Sequence, residues 1–138
     1  MTVRLNPYIN LRNSARDALA FYHSIFGGNL NMSTYAEGGM PHDPADASKI
    51  MHGQLDAPNG MVLMVSDAPA GMSGPEGSNI SVSLSGDDET ALRGYWNGLV
   101  AGGQPIMPLD KAPWGDTFGM LVDRFGVSWM VNIAGRQG

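Results

Sequence analysis

Apolar and polar positions alternate most regularly in two stretches of this chain. In Asn79–Ser85, Ile80, Val82 and Leu84 point one way and Asn79, Ser81 and Ser83 the other. In Val127–Ile133, Val127, Trp129, Val131 and Ile133 alternate with Ser128, Met130 and Asn132. A period of two with one apolar face predicts strands packed on a core behind and open in front. A further strand over Thr117–Val122 leads into the second stretch through a tight Asp123–Gly126 turn. There Gly126 supplies a positive φ, and Asp123 is placed to bond back to the backbone.

A helical period occurs twice. Ala18, Leu19, Phe21, Tyr22, Ile25 and Phe26 predict the buried face of a helix capped by Asn13 or Ser14 and stopped by Gly27-Gly28. Ala91, Leu92, Tyr95, Trp96, Leu99 and Val100 predict a second helix, capped by Asp87 or Asp88 and stopped by Gly102-Gly103. Val3–Leu11 is expected to form a first strand with Leu5, Ile9 and Leu11 on one face and Tyr8 and Asn10 on the other. Pro7 makes it an edge or irregular strand. Asn29–Glu37 is expected as a strand, and residues 38–46 as an exposed loop long enough to act as a lid. Lys49–Asp56 and Met61–Asp67, joined at Pro58–Gly60, predict a hairpin. Gln104–Leu109 resumes a strand, and Lys111–Gly115 is a loop.

The order strand, helix, three strands therefore occurs twice, and Ala18–Tyr22 parallels Ala91–Tyr95 on the two helices. This pattern predicts one α+β domain over residues 1–138. It contains two βαβββ modules, 3–67 and 79–133, separated by a linker over 68–78 rich in Gly, Pro, Ala and Ser. Two such modules can form a curved eight-stranded mixed sheet with helices on the convex face and a cavity in the concave one.

Composition narrows the function. Thirteen acidic and eight basic side chains give a net charge of -5, with no basic run to hold nucleic acid or an anionic membrane. There is no cysteine, which excludes disulfides and thiolate chemistry. The first residues lack the apolar core of a signal peptide, so a soluble cytoplasmic protein is expected. Ten methionines imply a soft, adaptable apolar surface somewhere in the molecule.

Several segments, in order, resemble the vicinal oxygen chelate superfamily, the glyoxalase/bleomycin resistance fold, and within it the PhnB-like branch also described as demethylubiquinone methyltransferase-like. They are Pro7–Asn10, Ala18–Gly27, Ile50–His52, Val65–Asp67 and Trp114-Gly115 through Asp123–Trp129. The resemblance spans nearly the whole chain and implies a homodimer. A methyl-donor site of Rossmann type would need a Gly-rich loop after a strand, and the sequence has none.

Metal-dependent members of the superfamily carry His, Gln or Glu at inward positions of the first and last strands of each half. Carried over, those positions fall on Pro7 or Tyr8, on or near Met64, on Asn79 and on Met130. None of these is a strong ligand for a hard divalent ion, so no metal and no cofactor is expected. The expected ligand-binding residues are Tyr8, His52, Gln54, Met64, Asn79, Ser81, Trp114, Phe118, Met120 and Met130. His52 shares a strand face with Gln54 and is the one candidate base; its plainer role is a strand histidine bonded to a neighbour such as Asp67. Asp67 and Asp123 are expected as turn residues, and Trp96 and Trp129 as helix–sheet packing. Three readings follow: a metal-independent binder of an unidentified small organic ligand, a lyase, isomerase or dioxygenase using a reshaped metal site or His52, and a structural or partner-binding protein.

Overall fold

A computed structural model of the protein describes residues 5–38, 43–68 and 80–135. The chain divides into two compact units, Met1–Pro75 and Glu76–Gly138. The first contains β1 (Tyr8–Leu11), α1 (Ala15–Phe26), β2 (Asn29–Thr34), the short α2 (Tyr35–Gly38), β3 (Ile50–Asp56) and β4 (Val62–Asp67). The second contains β5 (Val82–Gly86), α3 (Glu89–Val100), β6 (Gln104–Lys111), β7 (Thr117–Val122) and β8 (Ser128–Ile133). All eight expected strands are present, as two four-stranded mixed sheets of the same topology, β1-β4-β3-β2 and β5-β8-β7-β6. In each, the first strand of the unit runs parallel to the last, and the remaining pairs are antiparallel.

The helices pack on the apolar side of their sheets as their periodicity requires. Ala15, Ala18, Leu19 and Tyr22 of α1 are fully buried with Leu55 and Val65; Leu92, Trp96 and Leu99 of α3 are buried in the unit that holds Leu121, Trp129 and Val131. Burying each large side chain contributes roughly 1.5–3 kcal/mol. A glycine of the third strand lets the helix approach in both units. A Cβ on Gly53 would meet Leu19 Cδ1, and one on Gly119 would lie 2.9 Å from the Trp96 ring.

Buried aspartates fasten the loops. Asp67 receives the backbone N–H of Ala15 at 3.0 Å and of Ile50 at 3.1 Å, tying the start of α1 to β3. Tyr35 donates its hydroxyl to the Asp67 carbonyl at 2.9 Å, and burial, then Asp46 and Asp67, pushes the phenol pKa upward. Asp123 accepts the N–H groups of Phe125 and Val127 and, through its second oxygen, the Trp129 indole N–H at 2.9 Å. Gly126 has φ 87°, the left-handed value expected for that turn.

Four expectations change. Leu5 is fully exposed, because β1 begins only after Pro7. Ile80 is 72% exposed: continuing the β5–β8 register would set it opposite Val127, which belongs to the turn before β8. The second strand stops at Thr34 instead of Glu37. Thr34 Oγ1 accepts the Glu37 N–H at 3.1 Å while Glu37 Oε1 accepts the Thr34 N–H at 2.9 Å, a reciprocal capping box that starts a helical turn. Asp46, expected in an exposed loop, is 1% exposed and paired with Lys49 at 2.9 Å. His42 and most of the expected linker lie outside the described residues.

Candidate functional site

Residues directly opposite across neighbouring strands point to the same face of a sheet, so register alone defines what each open face presents. In the first unit Tyr8 faces Met64, Met64 faces Gln54 and Gln54 faces Asn31. One step along, Asn10 faces Ser66 and Ser33 faces His52. The alternate positions, Leu55 and Val65 among them, form the buried core face. The open face is therefore polar around one thioether, neutral except for Asp56 at the end of the third strand.

Three contacts organise that face. Tyr8 Oη lies 3.4 Å from His52 Nδ1, with the rings 5.9 Å apart and tilted by 45°. Ser66 Oγ donates to Asn10 Oδ1 at 3.2 Å. Gln54 donates to Asp56 at 2.9 Å, so its side-chain amide is engaged through nitrogen while its carbonyl oxygen remains an acceptor group. The carboxylate of Asp67 is occupied by backbone amides, so His52 takes Tyr8 as its partner in place of Asp67. A phenol and an imidazole in contact can relay a proton or orient a ligand carbonyl, and both are chemically ready for either role.

The open face of the second unit has different chemistry. Ser83 faces Met130, Met130 faces Met120 and Met120 faces Met107. The next row is Ser85, Asn132, Phe118 and Asp110. Trp114 is 63% exposed in the loop before β7 and sets its ring edge on Phe118, centroids 5.8 Å apart. Asp116 accepts Asn132 Nδ2 at 3.1 Å and the Gly135 N–H at 2.7 Å; the Gly135 amide first, then Asn132, holds its carboxyl below the usual range. Sulfur and aromatic surface dominate here, with serine and asparagine at one side.

Of the expected site residues, Tyr8, His52, Gln54 and Met64 share the open face of the first unit. Met120, Met130 and Phe118 share that of the second, with Trp114 leaning on Phe118. Ser81 is half-buried just ahead of β5, and Asn79 lies outside the described residues. The register sets Ser83 beside Met130 as it sets Tyr8 beside Met64. Ser66 and Met107 join the two faces without having been singled out. Ser66 was legible from its two-residue spacing to Met64, whereas Met107 was hidden by the register shifts of β6. Among the described residues no group of three or more His, Cys, Asp or Glu is placed to hold a metal ion. No helix among them is long and apolar enough to cross a membrane.

Comparison with known proteins agrees with this architecture. The protein PA1353 from Pseudomonas aeruginosa is 32% identical, superposes with a TM-score of 0.84, and is covered over 100% of its chain by 98% of this one. Protein YjdN of Escherichia coli (strain K12) is 26% identical over 96% of this chain and 97% of its own. The genomically encoded fosfomycin resistance protein FosX from Listeria monocytogenes shares the fold at a TM-score of 0.62 and 12% identity, over 97% of this chain and 93% of that one. The family model described as 3-demethylubiquinone-9 3-methyltransferase matches residues 4–132. The chain thus belongs to that family, described as 3-demethylubiquinone-9 3-methyltransferase, and shares its fold with FosX and a glyoxalase-related enzyme.

Proposed function

We propose that this protein binds a small, partly apolar organic ligand on the open faces of its sheets, by neutral hydrogen bonds and methionine contacts instead of through a metal. The observation that carries this is the pairing of Tyr8 with Met64 and of Ser83 with Met130 on the first and last strands of the two units. Superfamily members that hold a divalent ion place His, Gln or Glu on those strands. A phenol, a hydroxyl and two thioethers do not fit a hard ion, because thioethers bind soft metals and neutral hydroxyls bind weakly. The same groups suit a ligand with an apolar body and one or two carbonyl or hydroxyl functions. In this reading the first unit offers Tyr8, His52 and Gln54 beside Met64 to a polar group of a ligand, and the second offers Met120, Met130, Phe118 and Trp114 to an apolar body. A homodimer in the cytoplasm completes the proposal.

Methyl-labelled methionine tests it directly. In a screen of small organic compounds, a binder should move the methyl signal of Met64 or those of Met120 and Met130, and elemental analysis should find no stoichiometric divalent metal. A bound divalent ion that is lost in Tyr8→Phe would sink the proposal.

A second reading is favoured by one observation: His52 is in contact with a phenol while Asp67, its expected structural partner, is engaged elsewhere. His52 would then act as a base in a lyase or isomerase reaction. A turnover abolished by His52→Ala and by Tyr8→Phe, yet retained in Met130→Leu, would promote this reading over simple binding.

A further inference from the structure

The helix-covered side of the second sheet holds a cleft of about 350 Å³ between α3 and β6. It lies on the side opposite the open face, so it is independent of the proposed ligand site. Its floor is apolar, formed by Trp96, Val100 and Leu109. Arg93 and Asn97, four residues apart and so on one face of α3, line its helix wall. Its other wall is β6, the outermost strand of its sheet, where the pairing with β7 shifts register twice, between Pro105 and Met107 and between Met107 and Asp110. Such shifts bend an edge strand away from a regular ladder.

We infer that this cleft is a binding site for a small monocarboxylate with a flat apolar body. The volume is at the lower end of the range for small-molecule sites, ~300–1,000 Å³. Arg93 Nε is held by Glu89 at 2.8 Å, which orients the guanidinium plane. Among the described residues, its terminal nitrogens and the Asn97 carboxamide have no hydrogen-bond partner. A planar fork with two free donors matches one carboxylate, and the neighbouring Asn97 amide can donate to the same group. Glu89 already offsets part of the Arg93 charge, so a monoanion fits better than a phosphate dianion. A peptide added as a strand is disfavoured, since Pro105 and Pro108 on β6 offer no N–H to pair with it. The apolar floor beneath, to which Trp96 contributes an edge, takes the body of the ligand.

Phenylacetate is a suitable probe, and phenylacetamide its neutral counterpart. In proton–nitrogen NMR spectra of the full chain, phenylacetate should shift the Arg93 Nε–H, the Asn97 side-chain amide and the Trp96 indole N–H along one saturable curve. Arg93→Gln should weaken the probe about tenfold, the scale of one charge-assisted hydrogen-bond pair. Asn97→Ala should weaken it less, and Glu89→Gln should leave it bound at least as tightly. Arg93 and Asn97 are exposed, so these variants keep the fold intact. Equal affinity for phenylacetamide, an unchanged affinity in Arg93→Gln, or shifts confined to His52, Met64 and Met130 would each overturn the inference.

Discussion

The two units have one backbone plan and two surface chemistries. Both place a 12-residue helix over a sheet whose first and last strands run parallel, and both set a glycine of the third strand beneath that helix. Gly28 and Gly103, each just before the second strand, both press against the end of the third strand; a Cβ there would meet Asp56 O in one unit and Val122 O in the other. On the open faces the match stops. The first unit presents Tyr8, His52, Gln54, Asn10 and Ser66 around Met64; the second presents Met107, Met120, Met130 and Phe118 beside Ser83 and Asn132. Positions that close the backbone leave no freedom in either unit, because a Cβ would collide with main chain or a core side chain. Open-face positions carry no such constraint, and there the two units differ, the first more polar and the second richer in sulfur and aromatic surface.

The comparison breaks most sharply at the buried aspartates, which each unit uses differently. Asp67→Ala strips two backbone amides of their acceptor, and Asp123→Ala strips two amides and the Trp129 indole. Each should cost about 3 kcal/mol or more in urea unfolding, with Asp123→Ala the more damaging because it orphans one further donor. Equal stability of either variant and the parent would show that the carboxylate is not the fastening described.

The paired glycines give the next effect. An alanine at Gly53 meets the flexible end of Leu19 and lies 3.1 Å from Val65 O, whereas one at Gly119 lies 2.9 Å from both Leu109 Cα and the Trp96 ring. Both substitutions should destabilise by ~1–3 kcal/mol, Gly119→Ala by the larger amount, since backbone and an indole yield less than a leucine methyl. Thermal midpoints in the reverse order would contradict that account of helix approach.

Thr34→Ala removes half of the capping box, a device with no counterpart among the described residues of the second unit. A loss of about 1 kcal/mol is expected. Amide exchange should quicken at Tyr35–Glu37 and stay unchanged across β5–β8. The smallest effect is electrostatic. Asp116 is held below its ordinary value of 3.8 by the Gly135 amide first, then by Asn132 and Trp114, and Glu37 below 4.5 by Thr34. A depressed folded pKa contributes stability above the unfolded value, and that contribution is lost as pH falls through the folded one. Carboxyl NMR titration should find both midpoints shifted downward, and Asp116→Asn should flatten the acid limb of stability below about pH 4.

Much of this was written locally in the chain. The Asp123–Gly126 turn, the glycine pairs after the helices and the alternation of β7 and β8 each rest on a few adjacent residues, and the structure agrees with all of them. Thr34 and Glu37 also carried a readable signal, but the β-prone run before them concealed it. Leu5 and Ile80 have apolar character but precede the strands that form, which composition cannot reveal. The Tyr8–His52 contact joins residues 44 apart, and alternation states which face each occupies but not that the faces bring them together. The β6 register was illegible for a different reason: two prolines and two shifts break the period on which such a reading depends.

The parallel pairing of β1 with β4 bears on the order of assembly. Asp56 and Val62 are six residues apart at the β3–β4 connection, whereas Leu11 and Asp67 pair across fifty-six. Closing the longer loop costs about 2 kcal/mol more in chain entropy. The β2–β3–β4 meander can therefore form first, with β1 docking onto it late and Asp67 sealing the junction when the first turn of α1 arrives. Tyr8 rides on that last strand. The phenol that meets His52 is thus supplied by the least costly strand to detach, and in hydrogen exchange Ile9 and Leu11 should open before Leu55 and Val65.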